Sequence, residues 1–330
     1  MSSGYDLAIV GGSFAGLVCA RSAALRGLRT IVLERQPAAG HRIRTTGLLV
    51  KEVAERWEAP PRLTRRIRGV RLYGPSLSCI DLASPGYYFL ATDTPRLMAW
   101  LAREAGRAGA QLRYGTPFRR LGRCEAGIEL PDCGVRARFL VGADGPRSAV
   151  ADHFGLGRNS AFLLGAEAEI QGLRGLDPDR LHCFLDAGLM PGYIGWAFIG
   201  VGGMAQVGLA CRQPARPDLG AFMAKLARLF DLGDSRIIGR RGGLIPVGGR
   251  VTPFGSERVL LVATLRASSR RLRPAASTRP SSLAGAPGTP WPIICSTGRR
   301  RRTACSPKSI RGSPGSAACA ESSTSAHPTG

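Results

Sequence analysis

The sequence predicts an α/β protein in which a parallel sheet carries an inserted, mainly antiparallel sheet. Three observations support this prediction. A strand, a glycine turn, a helix and a second strand open the chain within residues 5–34. Another apolar strand, residues 139–142, runs into an Asp-Gly turn. Residues 61–89 and 161–244 contain short strand-like runs separated by turn residues, which is typical of antiparallel sheets.

The opening β–α–β unit predicts a dinucleotide site. A helical run ending at Gly27 and a second strand, residues 30–33, follow the turn, and Glu34 stands at that strand's tip. The glycines permit a tight turn, the helix start favours a pyrophosphate, and Glu34 can accept hydrogen bonds from ribose hydroxyls. Ser13 replaces the second glycine of the usual G-x-G-x-x-G pattern. The turn consists of Gly11, Gly12, Ser13, Phe14, Ala15 and Gly16.

Two later segments extend the pattern. Residues 93–110 predict a helix with Thr94 as its N-cap, Pro95 in its first turn and Arg96 directly after. Residues 139–148 predict a strand, an Asp144-Gly145 turn and a new helix. We therefore expect three chain segments to converge on one site.

Composition limits the function classes. The net charge is +23, which alone suggests nucleic acid or an anionic membrane. Residues 263–330 contribute 11 Lys or Arg and one acid, and aromatic residues are only 6%, so no specific nucleic-acid site is expected. Four histidines and nine cysteines without a C-x-x-C pair predict neither a metal site nor a redox dithiol. The start of the chain shows no signal peptide, and a cytoplasmic location is expected.

The chain changes character after residue 262. Residues 263–330 have no periodicity of 2 or 3.6 and are dominated by Ser, Pro, Arg, Thr and Gly, which predicts a disordered basic tail. Our hypothesis is that this tail is an out-of-frame translation. Restoring one lost nucleotide allows residues 263–298 to be read as a Gly-Asp turn, GDAAG, followed by an amphipathic helix. The coding DNA tests this hypothesis.

These motifs together resemble the FAD-dependent oxidoreductases of the para-hydroxybenzoate hydroxylase fold, and among them the geranylgeranyl reductase-like branch. The resemblance covers residues 1–262, and GDAAG would be the third flavin motif. It implies that Glu34 binds the adenosine ribose, with Arg35 beside it. It also implies that Arg96, Asp144 and Gly145 lie along the flavin phosphates and ribityl chain. The loop that contains Arg42 and Thr46 would pass near the isoalloxazine ring.

The reductase branch has a Tyr–Trp–Phe cluster on a strand that lines a prenyl tunnel, and Tyr193, Trp196 and Phe198 look similar. An ordinary aromatic core strand is the alternative interpretation. The Tyr-to-Trp spacing is one residue longer than in the family, and Ile199 stands where a proline is usual.

The resemblance implies a discontinuous FAD-binding domain, residues 1–60, 90–160 and 245–262, and a substrate domain, residues 61–89 and 161–244. The expected activity is hydride transfer from reduced FAD to a C=C bond of a prenyl or lipid-like substrate. NAD(P)H is the expected electron donor, and peripheral contact with a membrane surface is left open. Two alternatives remain. One is an aromatic-ring monooxygenase that uses FAD, NAD(P)H and oxygen. The other is a non-enzymatic remnant whose basic tail binds polyanions.

Overall fold

The computed structural model describes residues 3–56, 58–120, 122–124, 127–249 and 251–262. The disordered tail and the reading-frame hypothesis concern residues 263–330, which lie outside the described residues. The described strands, in chain order, are β1 (Ser3–Val10), β2 (Thr30–Leu33), β3 (Leu48–Val50), β4 (Thr64–Ile67), β5 (Gly69–Tyr73), β6 (Cys79–Ala83), β7 (Phe89–Thr92), β8 (Gln111–Arg113), β9 (Gly122–Cys124), β10 (Gly127–Leu130), β11 (Val135–Gly142), β12 (Phe162–Gln171), β13 (Arg180–Phe184), β14 (Gly195–Ile199), β15 (Ala205–Arg212), β16 (Arg236–Pro246) and β17 (Val259–Leu261).

Five α-helices and three short 3₁₀ helices connect the described strands. The α-helices are α1 (Phe14–Ala24), α2 (Lys51–Ala54), α3 (Thr94–Arg107), α4 (Ala149–His153) and α5 (Leu219–Leu226). The 3₁₀ helices are Pro61–Leu63, Pro131–Cys133 and Val201–Gly203.

The first sheet is the predicted parallel sheet. Its order is β8-β2-β1-β11-β10-β9, and β17 also pairs with β11. Strands β8, β2, β1, β11 and β17 run parallel, whereas β10 and β9 add an antiparallel hairpin. All four residues of β2 are buried, as expected for a parallel strand that is covered on both faces.

The second sheet is the predicted, mainly antiparallel insertion. Its order is β16-β12-β15-β14-β13-β5-β6, and only the β13–β5 pair is parallel. Strands β5 and β6 form a hairpin around Gly74. A third, antiparallel sheet has the order β3-β7-β4. The predicted fold class is therefore confirmed for the described residues.

The two faces of the second sheet have different partners. On one face, Tyr73 and Phe184 pack with Phe222 and Leu226 of α5. The other face packs against Ile67 and Ala91 of the third sheet. We call this second face the aromatic face; its buried residues are Leu163, Leu181, Cys183, Trp196, Phe198 and Ala210.

Several local details differ from the sequence prediction. Asp93, not Thr94, is the N-cap of α3, because its carboxylate accepts from the Arg96 backbone N–H at 3.3 Å. Thr94 is instead a buried first-turn residue whose hydroxyl lies 2.9 Å from that of Thr92. Strands β9 and β16 were not predicted, because their glycine- and arginine-rich segments lack apolar alternation. Strand β10 was also missed, because its alternating segment is only four residues long.

His182 is a packed core residue, as expected from its position in an apolar strand. It is fully buried and its ring stacks on Tyr73 at 5.8 Å between centroids. Nε2 lies 3.2 Å from the Asp177 carbonyl, which can only accept, so Nε2 carries the proton. Nδ1 then accepts from the Tyr73 hydroxyl at 3.0 Å. Burial lowers the pKa of His182, since it penalises the charged imidazolium.

The free energy of unfolding should therefore depend on pH through His182. Because its folded-state pKa lies below the unfolded value, near 6.5, the stabilisation is complete above that pH and is lost as the pH falls below it. We expect denaturant unfolding to show this loss as the pH falls below about 6.5, with a smaller loss in His182→Gln. His41→Gln alters an exposed histidine and is the control. If the free energy of unfolding depended on pH identically in wild type and His182→Gln, the lowered pKa of His182 would be contradicted.

Candidate functional site

The glycine turn brings three backbone segments closer together than any side chain would permit. Gly11 has a φ of +106°, and a Cβ there would lie 2.3 Å from the Ala143 carbonyl oxygen. A Cβ on Gly16 would lie 1.9 Å from the Gly11 carbonyl oxygen. Both positions therefore require glycine. The end of β1, the start of α1 and the end of β11 meet at this point.

The start of α1 is suited to bind an anion. The Ser13 side chain makes no capping hydrogen bond to the first turn, and that turn contains no acidic residue. The helix dipole and the backbone N–H groups at such a terminus favour a phosphate. The turn and the helix start therefore match the site predicted for residues 11–16.

Glu34 lies directly beside this turn. Its Oε2 accepts from the Gly12 N–H at 2.6 Å, and its Oε1 accepts from the Gln36 N–H at 2.7 Å. A Cβ on Gly12 would be 3.0 Å from the Glu34 Cβ, so a larger residue would displace the carboxylate. Each carboxylate oxygen retains a further lone pair for a hydroxyl group. The carboxylate is thus oriented at the edge of the turn.

The segment after β8 also reaches Glu34, which sequence reasoning missed. The Thr116 N–H donates to the Glu34 carbonyl and the Gly115 N–H to the Gln36 carbonyl, both at 2.9 Å. Burial raises the pKa of the Tyr114 hydroxyl, and the negative charge of Glu34 adds to that rise. The pairing of β8 with β2, which places Ile31 opposite Gln111 across 80 residues of sequence, has no local sequence signal.

Asp144 and Gly145 lie next to the glycine turn, since Ala143 contacts Gly11. The Asp144 carboxylate accepts from the Ser148 hydroxyl at 2.6 Å and from the Val150 N–H at 3.2 Å. Asp144 therefore holds the start of α4. Gly145 has a φ of +98°, a Cβ there would meet no atom within 4 Å, and the residue is exposed, so the backbone there is accessible.

The loop of residues 40–47 packs against the start of α3. A Cβ on Gly40 would lie 2.4 Å from the Pro95 carbonyl oxygen, and the Gly47 carbonyl accepts from the Thr92 N–H and hydroxyl. Within this loop Thr46 is half-buried and Arg42 is exposed. The loop is thus anchored at both ends.

Two further predicted cofactor residues point into solvent. Arg35 is exposed. The Arg96 side chain is 70% exposed and lies 3.5 Å from the Asp93 carboxylate. The structure therefore joins the glycine turn, Glu34 and the Asp144-Gly145 turn, whereas the Arg35 and Arg96 side chains extend into solvent.

The predicted aromatic residues share one face of β14. Trp196 and Phe198 are two residues apart, so both point to the aromatic face, and both are buried. Tyr193 precedes the strand and is half-buried against the same cluster. At the edge of this face, a Cβ on Gly243 of β16 would be 3.7 Å from the Arg44 Cβ. The loop of residues 40–47 therefore borders the aromatic face.

A buried polar cluster on the aromatic face was not predicted. It consists of Glu167, Glu169, Gln206 and Arg241. Glu167 is 4% exposed and accepts from the Trp196 indole N–H at 2.9 Å. Burial raises the pKa of the Glu167 carboxyl, while the Arg241 guanidinium opposes that rise. Two acids in the otherwise apolar run of residues 163–170 were the available signal.

The comparisons with known proteins agree with this geometry. A sequence family described as an NAD(P)-binding Rossmann-like domain matches residues 9–64. The chain is 26% identical over 276 residues to digeranylgeranylglycerophospholipid reductase 2 of Methanothermobacter thermautotrophicus, which covers 78% of this chain and 70% of that protein.

Solved structures show the same fold. A geranylgeranyl bacteriochlorophyll reductase-like protein of Thermoplasma acidophilum superposes with a TM-score of 0.71 at 24% identity, covering 79% of this chain and 70% of that one. A flavoprotein/dehydrogenase of Cytophaga hutchinsonii gives 0.61 at 16% identity, with 78% and 70% coverage. The resemblance to geranylgeranyl reductase-like flavoproteins is confirmed.

Two negative findings apply to the part of the chain that the structure describes. No helix there has the length and apolar character needed to cross a membrane. No group of three or more His, Cys, Asp or Glu side chains there could hold a metal ion.

Replacing Glu34 by Gln should weaken binding of FAD. The amide has a single acceptor oxygen, so it cannot keep both backbone hydrogen bonds and also face a ribose. Loss of a hydrogen bond to a charged group costs about 1.5–3 kcal/mol, or roughly ten- to a hundredfold in affinity. Titration calorimetry with FAD measures this. Glu55→Gln, at an exposed position of the same charge, should bind like wild type, and equal affinity of both variants would refute the role of Glu34.

Proposed function

We propose that this protein is an FAD-dependent reductase that adds hydrogen across C=C bonds of a prenyl or lipid-like chain. The observation that carries the proposal is the position of the aromatic face, which is bordered by the loop of residues 40–47. That loop packs on the start of α3, and α3 packs on α1, which begins at the glycine turn. The similarity to a digeranylgeranylglycerophospholipid reductase over 78% of the chain supports the substrate class.

The described residues fit FAD. The closely packed glycine turn leaves room for a pyrophosphate at the start of α1, and the Glu34 carboxylate is oriented toward the same space by two backbone N–H groups. The Gly145 backbone is accessible beside them. We assign the adenosine ribose to Glu34 and the phosphates to residues 11–16. Arg35, Arg42, Thr46 and Arg96 would border the rest of the cofactor.

The aromatic face fits an unsaturated hydrocarbon chain. The half-buried Tyr193 offers ring surface to such a chain, and the buried Trp196 and Phe198 pack beside it in the same cluster. Such a face binds apolar chains through burial of apolar surface and excludes water from the reacting carbons.

When bound and reduced, FAD supplies the hydride for such a reaction. The protein then has to hold the C=C bond against the cofactor, keep water out and let a proton reach the second carbon. No protein nucleophile is required, in keeping with the absence of a catalytic cysteine or histidine constellation in the sequence. We propose NAD(P)H as the electron donor and a cytoplasmic enzyme that meets its lipid-like substrate at a membrane surface.

An anaerobic turnover experiment tests this function. The full chain is supplied with saturating FAD, because the reading-frame hypothesis predicts weak retention of the cofactor. After chemical reduction, a geranylgeranyl lipid should reoxidise the flavin and gain two hydrogens for each double bond reduced, as shown by absorbance and mass spectrometry. Substrate-linked oxygen consumption with an aromatic compound, and no anaerobic reoxidation, would instead identify a monooxygenase.

Arg96→Ala should separate cofactor binding from stability. The Arg96–Asp93 pair is largely solvated, and such pairs contribute about 0–1 kcal/mol, so the unfolding midpoint should barely change. FAD affinity should nevertheless fall, because a guanidinium beside the phosphates is lost. Arg107→Ala, which removes a similar exposed pair at the other end of α3, should leave FAD affinity unchanged. An equal effect of both variants would remove Arg96 from the site.

A further inference from the structure

Four residues form one row across the aromatic face. Strand register places Trp196 of β14 opposite Gly208 of β15, Gly208 opposite Glu167 of β12, and Glu167 opposite Arg241 of β16. Residues paired in this way point to the same face of a sheet. Across the sheet, the row therefore runs from the Trp196 ring over the side-chain gap at Gly208 to the ion pair of Glu167 and Arg241.

Gly208 provides the gap that the indole fills. A Cβ on Gly208 would lie 2.5 Å from Cζ2 and 2.6 Å from Cε2 of Trp196. The indole therefore lies across β15 rather than standing upright on β14. This position brings its Nε1 to 2.9 Å from Glu167 Oε2, two strands away.

Glu167 is itself held by Arg241. The guanidinium Nε donates to Glu167 Oε1 at 2.7 Å, while other nitrogens of the same group donate to Glu169 at 2.6 Å and to Gln206 at 3.1 Å. Both oxygens of Glu167 thus accept from N–H donors. A carboxylate that is occupied on both oxygens is poorly placed to deliver a proton to a substrate, but it fixes the direction of the indole.

We propose that Glu167 is a positioning residue that locks the Trp196 indole flat on the aromatic face and thereby sets which substrate chains that face accepts. This inference rests on the proposed function. An indole released from Glu167 would rotate away from Gly208 and change the ring surface that a chain on this face meets. Long or bulky prenyl chains would lose most from that rotation.

Stability alone does not explain the buried ion pair of Glu167 and Arg241. A buried ion pair adds little net stability over an apolar pair, since desolvation of the charges offsets their attraction. An apolar residue at 167 would continue the aromatic face. Glu169 offers a matched control, because its carboxylate binds the same guanidinium but not the indole.

Four variants of the full chain test the proposal: Glu167→Gln, Glu169→Gln, Trp196→Phe and the double variant Glu167→Gln/Trp196→Phe. The first readout is tryptophan fluorescence and near-UV circular dichroism, each compared with the Trp196→Phe background to isolate the indole signal. We expect Glu167→Gln to change that signal, Glu169→Gln to leave it nearly unchanged, and the Glu167→Gln effect to vanish when Trp196 is absent.

The second readout is substrate discrimination, measured with FAD added in excess. The ratio of kcat/KM for a geranylgeranyl chain to that for a geranyl chain should fall by about tenfold in Glu167→Gln, and not in Glu169→Gln. Trp196→Phe should make the ratio insensitive to residue 167. If Glu167→Gln does not fold, Glu167→Asp replaces it as the test variant. The shorter side chain keeps the negative charge but withdraws it from the indole, so the indole signal and the kcat/KM ratio should change in the same direction.

Two results would overturn the inference. One is an equal spectral change in Glu167→Gln and Glu169→Gln, which would mean that the whole cluster acts as a structural unit. The other is a Glu167→Gln effect on discrimination that persists without Trp196. If the wild-type chain reduces no prenyl substrate, the proposed function fails, whereas the spectra still decide whether Glu167 positions the indole.

Discussion

The backbone contact at the glycine turn is the constraint on which the rest of the candidate site depends. Gly11 must approach the Ala143 carbonyl, and Gly16 must approach the Gly11 carbonyl, at distances that a Cβ would not allow. This contact brings the end of β1, the start of α1 and the end of β11 together. Without it, Glu34 and the Asp144-Gly145 turn would have no common space to border.

Side chains along the strands of the second sheet alternate between the face covered by α5 and the aromatic face. In β14, Ala197 packs toward α5, whereas Trp196 and Phe198 point to the aromatic face. In β13, His182 packs among the rings of Tyr73 and Phe230, while its neighbours face the other way. The helix-covered face thus stabilises the sheet from one side, and the aromatic face packs on the third sheet and is bordered by the loop of residues 40–47.

Three carboxylates that accept hydrogen bonds within the protein have different roles. Glu34, Asp144 and Glu167 each accept two or more hydrogen bonds within the protein. Glu34 borders the open turn and keeps lone pairs for a ligand. Asp144 secures the start of α4. Glu167 is enclosed between an arginine and an indole. Their roles follow from exposure and from the donors around them, not from residue type.

Local signals in the sequence determined the opening β–α–β unit and its glycine turn, but not the glycine- and arginine-rich strands β9 and β16. The apolar run before Gly11, the glycine spacing, and Glu34 after the second strand act over short distances, so they predicted the β–α–β unit and the fold class. The resemblance to the reductase branch likewise implied a strand that carries Trp196 and Phe198. Only the tertiary structure decided which residues meet across strands far apart in the sequence. Two contacts depend on strand order and register, which no local pattern specifies. They are the contact of Thr116 with Glu34 and the row from Trp196 over Gly208 to Glu167 and Arg241.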